Sequence, residues 1–137
     1  MEDVARRRSR LLLAWLPVAL WAGLILWFSA QPADDLPDVG FAVPDKLVHG
    51  AIYAVLGALV ARALRRRGAA AALCAVAAIA GFGLFDEWTQ SFSPGRQPDL
   101  ADALADTLGA AAGYLLVMRY YARRWQRSSG PSATSTR

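Results

Sequence analysis

Cysteine, histidine and lysine each occur once in this chain of 137 residues, and their scarcity excludes several classes of protein. The lone Cys74 lies in an alanine-rich apolar run, so neither an intrachain disulfide nor a zinc-knuckle framework can form. Charged residues make up only 19% and hydrophobic residues 55%, which is too apolar for a disordered chain and unusual for a small soluble domain. The length allows one domain at most, and the composition favours an integral membrane protein.

Four stretches are long and apolar enough to cross a bilayer, which takes about 20 mostly apolar residues. They cover residues 11–30, 45–64, 69–90 and 99–121. Because the joining segments are short, we predict an all-α fold, a four-helix transmembrane bundle with up-down topology, over residues 11–121. Pro17 is expected to kink the first span modestly. Residues 1–10 form a basic arm, and residues 122–137 a tail that is first basic and then disordered.

The N-terminal stretch has a second interpretation, a cleaved signal peptide preceded by arginines. Its apolar part is about twice as long as the usual core of a signal peptide, and no clean cleavage site follows. We therefore interpret it as a retained anchor.

The basic residues predict the orientation. Thirteen of the fifteen fall on one side of a four-span chain, namely Arg6, Arg7, Arg8, Arg10, Arg62, Arg65, Arg66, Arg67, Arg119, Arg123, Arg124, Arg127 and Arg137. By the positive-inside rule both termini are cytoplasmic, in a multi-pass protein of the cytoplasmic (inner) membrane. We interpret the arginines as orientation signals in contact with the lipid bilayer rather than as a nucleic-acid site.

The acidic residues show the opposite distribution, because nine of eleven fall on the other side. Asp34, Asp35 and Asp38 lie in the first outer loop, where we expect them to be solvated. The remaining six lie near helix ends together with other polar residues; the set comprises Asp45, Lys46, His49, Asp86, Glu87, Gln90, Arg96, Asp99, Asp102 and Asp106.

Helical spacing places many of these residues on shared faces. The second span has Lys46, His49 and Tyr53 at i, i+3 and i+7, the fourth repeats this spacing with Asp99, Asp102 and Asp106, and the third has Asp86 and Gln90 one turn apart. An ionisable residue at membrane depth costs on the order of 2–3 kcal/mol, so these stripes are expected to face a common funnel that opens to the outside. One of the neighbouring Asp102 and Asp106 is expected to be protonated unless a cation or base lies between them.

Two further motifs concern backbone geometry. Gly109 and Gly113 form a G-x-x-x-G pattern, which allows close helix contact and which we assign to packing within the bundle. Pro94 and Gly95 predict a turn that carries Arg96 across the mouth of the funnel.

Taken in order, the motifs resemble those of the VanZ-like integral membrane proteins. The matching residues are Ser29 and Pro32, then Asp45, Lys46, His49 and Tyr53, then Gly83, Asp86, Glu87 and Gln90, then Pro94, Gly95 and Arg96, and last Asp99, Asp102, Asp106, Gly109 and Gly113. The resemblance implies a bacterial membrane protein associated with low-level resistance to the glycopeptide teicoplanin. One departure is Asp106, where the family usually has Asn.

The leading hypothesis is a site that binds or processes an anionic lipid or a lipid-linked cell-envelope intermediate. Arg96 and Lys46 would hold a phosphate, and apolar chains would lie between the helices. Catalysis would require His49 with Glu87 or Asp102 as acid and base. The remaining ligand-binding candidates are Tyr53, Asp86, Gln90, Asp99 and Asp106.

Three alternatives stay open. The same residues could recognise a glycopeptide or wall precursor, or modulate a partner, without turnover. Although no cofactor is required, oxygen ligands from Asp86, Glu87, Asp102 and Asp106 would suit Mg²⁺ or Ca²⁺. The residues could also serve only as interhelical hydrogen bonds, with Asp45 and Asp99 capping helices and Tyr53 packing in the core.

Overall fold

The structure, a computed structural model, describes residues 1–32, 45–64 and 68–128. Within these ranges the chain forms four helices and no strand: α1 (Glu2–Ser29), α2 (Asp45–Leu64), α3 (Ala69–Gln90) and α4 (Leu100–Ser128). Each helix is long and apolar enough to cross a membrane. The predicted all-α class is therefore confirmed, and the described residues contain the four expected helices that are able to span a membrane.

The boundaries of α2 and α3 agree with the predicted spans, whereas α1 and α4 are longer than predicted. α1 begins at Glu2, so the basic arm is a helical extension, and the helix continues through Pro17. α4 ends at Ser128, whose hydroxyl donates a hydrogen bond to the Arg124 carbonyl. Several residues interpreted from the sequence lie outside the described ranges, namely Asp34, Asp35, Asp38, Arg65, Arg66, Arg67 and residues 129–137.

The closest helix pair is α2 with α4, and glycines make this contact. A Cβ atom added at Gly109 would collide with the backbone of Gly50, and one added at Gly113 with the backbone of Ala54. In the other direction, Gly57 lies directly against the backbone of Ala110. The G-x-x-x-G pattern therefore packs α4 onto α2 within the chain, as predicted.

Polar contacts join one end of each helix. The N-terminal residues of α2 and α4 meet through Lys46 and Asp99, and the C-terminal part of α3 reaches both helices through Asp86 and Glu87. The end of α1 is attached nearby, because the Ser93 hydroxyl donates to the carbonyl of Ser29 over 3.0 Å. The polar residues of three helices are thereby gathered at one end of the helix group.

The apolar core lies away from this end. It includes Ile25 of α1, Leu56 and Val60 of α2, Ile79 of α3 and Tyr114 of α4. A side-chain hydrogen bond also attaches α1 to α2, because the indole N–H of Trp21 donates to the carbonyl of Ile52 over 3.0 Å. Many large apolar side chains point outward, among them Leu12, Leu20, Leu73, Leu108 and Leu116, as expected of helices surrounded by lipid.

From the close contact at the glycines we predict that one added methyl group lowers the stability of the protein. We expect Gly113→Ala to lower the free energy of unfolding by about 1–3 kcal/mol, because the new Cβ must push α2 and α4 apart. Gly81→Ala in α3 is the control, since its Cβ would meet nothing within 4 Å. Thermal unfolding in detergent measures both, and equal midpoints for the two variants would contradict the assigned contact.

Candidate functional site

The ten residues predicted to form a site lie together at the end where α2, α3 and α4 meet. We call them the polar cluster, which comprises Lys46, His49, Tyr53, Asp86, Glu87, Gln90, Arg96, Asp99, Asp102 and Asp106. Exposure falls across the cluster: Lys46 and Asp99 are exposed, His49 and Arg96 are half-buried, and Asp106 is fully buried. The cluster is therefore open at one edge and closed at its base.

The open edge is an ion pair shared by three residues. The Lys46 ammonium lies 2.7 Å from Asp99 Oδ2 and 2.7 Å from Asp102 Oδ1. Asp99 lies just before α4 and therefore outside the helices that could span the membrane, and its hydrogen bonds from Lys46 and from the backbone N–H of Ala101 lower the pKa of its carboxyl group. The 2.8 Å bond to Ala101 also caps the start of α4, as the sequence indicated. Lys46 thus separates two carboxylates that would otherwise repel each other.

Glu87 connects α3 to the start of α4. Its Oε2 accepts a 2.8 Å hydrogen bond from the backbone N–H of Asp99, and its Oε1 accepts one of 3.4 Å from the amide of Gln90. Only 4% of the Glu87 residue is exposed, so this carboxyl group is held in place by the protein rather than by solvent. The predicted acid–base candidate therefore has a fixed orientation.

The base of the cluster contains His49, Tyr53, Asp86 and Asp106. The Nδ1 atom of His49 lies 3.2 Å from Asp106 Oδ1, and the hydroxyl of Tyr53 donates to Asp86 Oδ2 over 3.3 Å. Gly83 packs beside this arrangement, where an added Cβ would make ordinary van der Waals contact, 3.4 Å from Asp106 Oδ2 and 3.5 Å from the Tyr53 ring. Asp102 contacts Lys46 and Asp106 contacts His49, so each of the two neighbouring acids has a basic partner of its own.

Arg96 reaches the cluster from the turn after α3. Gly95 has a φ of 76°, which favours glycine, and the Arg96 N–H donates to the Ser93 carbonyl over 3.2 Å. The turn carries the guanidinium back to Gln90 Oε1, at 2.8 Å. Among the residues described, Arg96 forms no ion pair, in contrast to Lys46.

Two carboxylate oxygens in the cluster are buried and have no hydrogen-bond partner in the described structure. They are Asp86 Oδ1 and Asp106 Oδ2. Buried polar atoms are nearly always hydrogen-bonded, so such an exception in a protein requires a cause. A network that served only to join helices would be expected to satisfy both oxygens.

An apolar groove runs between α1, α2 and α3, and Phe82 lies at the end of it that is nearest the cluster. Its volume is about 1110 Å³, and Val18, Leu56, Ala78 and Phe82 are among the residues that line it. The Phe82 ring packs against the Tyr53 ring with centroids 6.1 Å apart. The groove approaches the polar cluster at this aromatic pair.

The sequence pattern did not reveal every contributor. Two sets of three side chains have ligand atoms within 4.8 Å of one another, Asp45 with His49 and Asp102, and His49 with Glu87 and Asp106. Both sets include the imidazole, which the predicted all-oxygen cation site omitted. Ser29 and Ser93 were also missed as a buried link beside the cluster, although Ser29 belongs to a motif noted in the sequence.

Comparison with protein families gives one match. The family described as VanZ/LLP1 matches residues 14–121, a range that contains the whole polar cluster. No curated protein and no solved structure matches the chain.

The shared ion pair predicts a coupled effect on stability. Lys46→Met is expected to lower the melting temperature, because Asp99 and Asp102 then lack their counter-charge. Adding Asp102→Asn to Lys46→Met is expected to recover part of the loss. Arg62→Met, which removes the same charge at the far end of α2, is the control. Melting temperatures in detergent that are additive across the Lys46 and Asp102 variants would contradict the coupling.

Proposed function

The chain belongs to the VanZ/LLP1 family, and from this premise we propose that it binds the anionic head group of a lipid or lipid-linked cell-envelope intermediate at the polar cluster. Its location would be the cytoplasmic membrane of a bacterium, with up-down topology and both termini cytoplasmic. The positive-inside rule supports this orientation, which turns the cluster toward the outer face.

The observation that carries the proposal is the state of Arg96. The Lys46 ammonium already forms ion pairs with two aspartates. The half-buried guanidinium of Arg96, in contrast, donates a hydrogen bond to the neutral side-chain amide of Gln90. Five N–H donors in a rigid fork suit a phosphate oxygen pair, and Gln90 occupies only part of that capacity. We therefore assign the anion contact to Arg96 rather than to Lys46.

The groove supports an amphiphilic ligand. It is lined mainly by apolar side chains, and its Phe82 end lies beside Tyr53 of the cluster. A ligand with its head group at Arg96 would have an apolar surface within reach for an acyl or isoprenyl chain. This pairing of a polar end and an apolar groove is typical of sites for lipids or other small molecules.

Binding without turnover has a specific observation in its favour. Glu87 accepts the backbone N–H of Asp99, and Asp102 accepts the ammonium of Lys46. A catalytic acid or base would have to release these partners, so Glu87 and Asp102 are better supported as binding residues than as catalytic ones. We propose that glycopeptide susceptibility is affected through the bound ligand.

Arg96→Gln tests the anion contact. Because a charge-assisted hydrogen bond contributes roughly 1.5–3 kcal/mol, we expect at least about a tenfold loss of affinity for phosphate-bearing lipid. Purified protein in nanodiscs is titrated with such lipid, and mass spectrometry identifies lipid that co-purifies. Arg62→Gln carries the same substitution outside the cluster and should bind like the parent protein. Unchanged affinity in Arg96→Gln would overturn the assignment.

Glu87→Gln separates binding from turnover in the same preparations. If the protein only binds, the variant and the parent hold the same lipid and neither forms product. Accumulation of an unprocessed lipid in Glu87→Gln alone, with an unchanged melting temperature, would show turnover and contradict our assignment.

Ala78→Phe tests the groove. Ala78 and its neighbour Ala77 are both exposed on α3, but only Ala78 lines the groove. A phenyl ring at position 78 should obstruct part of the groove and weaken binding of long-chain lipid while leaving short-chain analogues unaffected. Ala77→Phe is the matched control. Equal affinities of the two variants for long-chain lipid would contradict a role for the groove.

A further inference from the structure

Three potential metal ligands approach one another at the base of the cluster, and each comes from a different helix. His49 lies on α2, Glu87 on α3 and Asp106 on α4, and one ligand atom of each lies within 4.8 Å of the other two. Two neighbouring ligands of one ion bound at about 2.1 Å are about 3.0 Å apart at octahedral angles and about 3.4 Å apart at tetrahedral ones. The 3.2 Å between His49 Nδ1 and Asp106 Oδ1 lies between these two separations.

The second observation is the state of the Asp106 carboxylate. The residue is 0% exposed, and its Oδ2 has no hydrogen-bond partner in the described part of the chain. The carboxylate that carries this oxygen belongs to a ligand triplet rather than to an isolated core position. A carboxylate buried without a donor is costly, and a bound cation removes that cost.

The charges of the cluster lead to the same conclusion. Its acids are Asp86, Glu87, Asp99, Asp102 and Asp106, with Asp45 at the rim, and its bases are Lys46, Arg96 and His49. The acids exceed the bases even when the imidazole is charged. Because like charges repel strongly where water is excluded, an additional positive charge would stabilise this end of the bundle.

We propose that His49, Glu87 and Asp106 bind a divalent first-row transition-metal ion, such as Mn²⁺ or Zn²⁺. One imidazole nitrogen and two carboxylates form a mixed donor set that suits these ions better than Mg²⁺ or Ca²⁺, which prefer oxygen alone. This set differs from the all-carboxylate site expected from the sequence, because Asp102 is paired with Lys46 and Asp86 with Tyr53. The site does not depend on which ligand Arg96 holds.

The test uses the full-length protein in detergent, freed of metal and titrated with Mn²⁺. Electron paramagnetic resonance measures free Mn²⁺, and elemental analysis counts Mn²⁺ and Zn²⁺ bound after dialysis. We expect one ion per chain and a higher melting temperature with metal. Asp106→Asn and His49→Gln should each lower the affinity at least about tenfold, since each removes a ligand. Asp3→Asn, an exposed acid on α1, should have no effect.

Asp45→Asn distinguishes the site from the outer triplet of Asp45, His49 and Asp102. If Asp45→Asn loses the ion while Glu87→Gln retains it, the ion lies in the outer triplet and the proposal is overturned. Absence of binding or of a melting shift in the parent protein overturns it as well. If Asp106→Asn folds poorly, the other two ligands provide the test. A tenfold loss of Mn²⁺ affinity in His49→Gln and in Glu87→Gln, with the melting temperature of the metal-free protein unchanged, supports the proposal.

Discussion

The backbones of α2 and α4 touch through Gly57, Gly109 and Gly113, and this contact fixes the register in which the two helices present their polar side chains. A larger residue at these positions would separate the helices and with them the pairs Lys46–Asp102 and His49–Asp106. Within a bilayer there is little hydrophobic force between helices, so such close packing and the polar contacts that it permits must hold the pair together. The polar cluster exists because small residues allow the helices to approach.

The acidic side chains of the cluster differ in how completely their oxygens are hydrogen-bonded or ion-paired. At its open edge Lys46, Asp99 and Asp102 satisfy one another. At its base, one oxygen of Asp86 and one of Asp106 are buried with no donor among the residues that the structure describes. The anion contact assigned to Arg96 and the metal site assigned around Asp106 therefore use different parts of the cluster. An ion at the base would reduce the excess negative charge beneath Arg96, and both sites could be filled at once.

Much of this arrangement could be predicted from the sequence because it follows from periodicity. Apolar length identified the four spans, and helical spacing placed Lys46, His49 and Tyr53 on one face. Which residues pair depends on the register between helices, which spacing within one helix does not determine. The bonds from the Asp99 N–H to Glu87 and from Ser93 to Ser29 depend on loop geometry and a backbone carbonyl, so residue types alone could not indicate them. Orientation and residue roles remain predictions.

The directions in which the helices meet at the cluster have an electrostatic consequence of their own. α2 and α4 both begin there, with Asp45, Asp99 and Asp102 around their first turns, whereas α3 ends there and is followed by Arg96. Aligned peptide dipoles give a helix a partial positive charge where it starts and a partial negative charge where it ends. Asp45, Asp99 and Asp102 thus lie where the backbone favours anions, and Arg96 lies where it favours a cation, whereas Glu87 in the last turn of α3 gains nothing from the dipole of its own helix. The main chain itself helps to keep these charges at the end of the bundle.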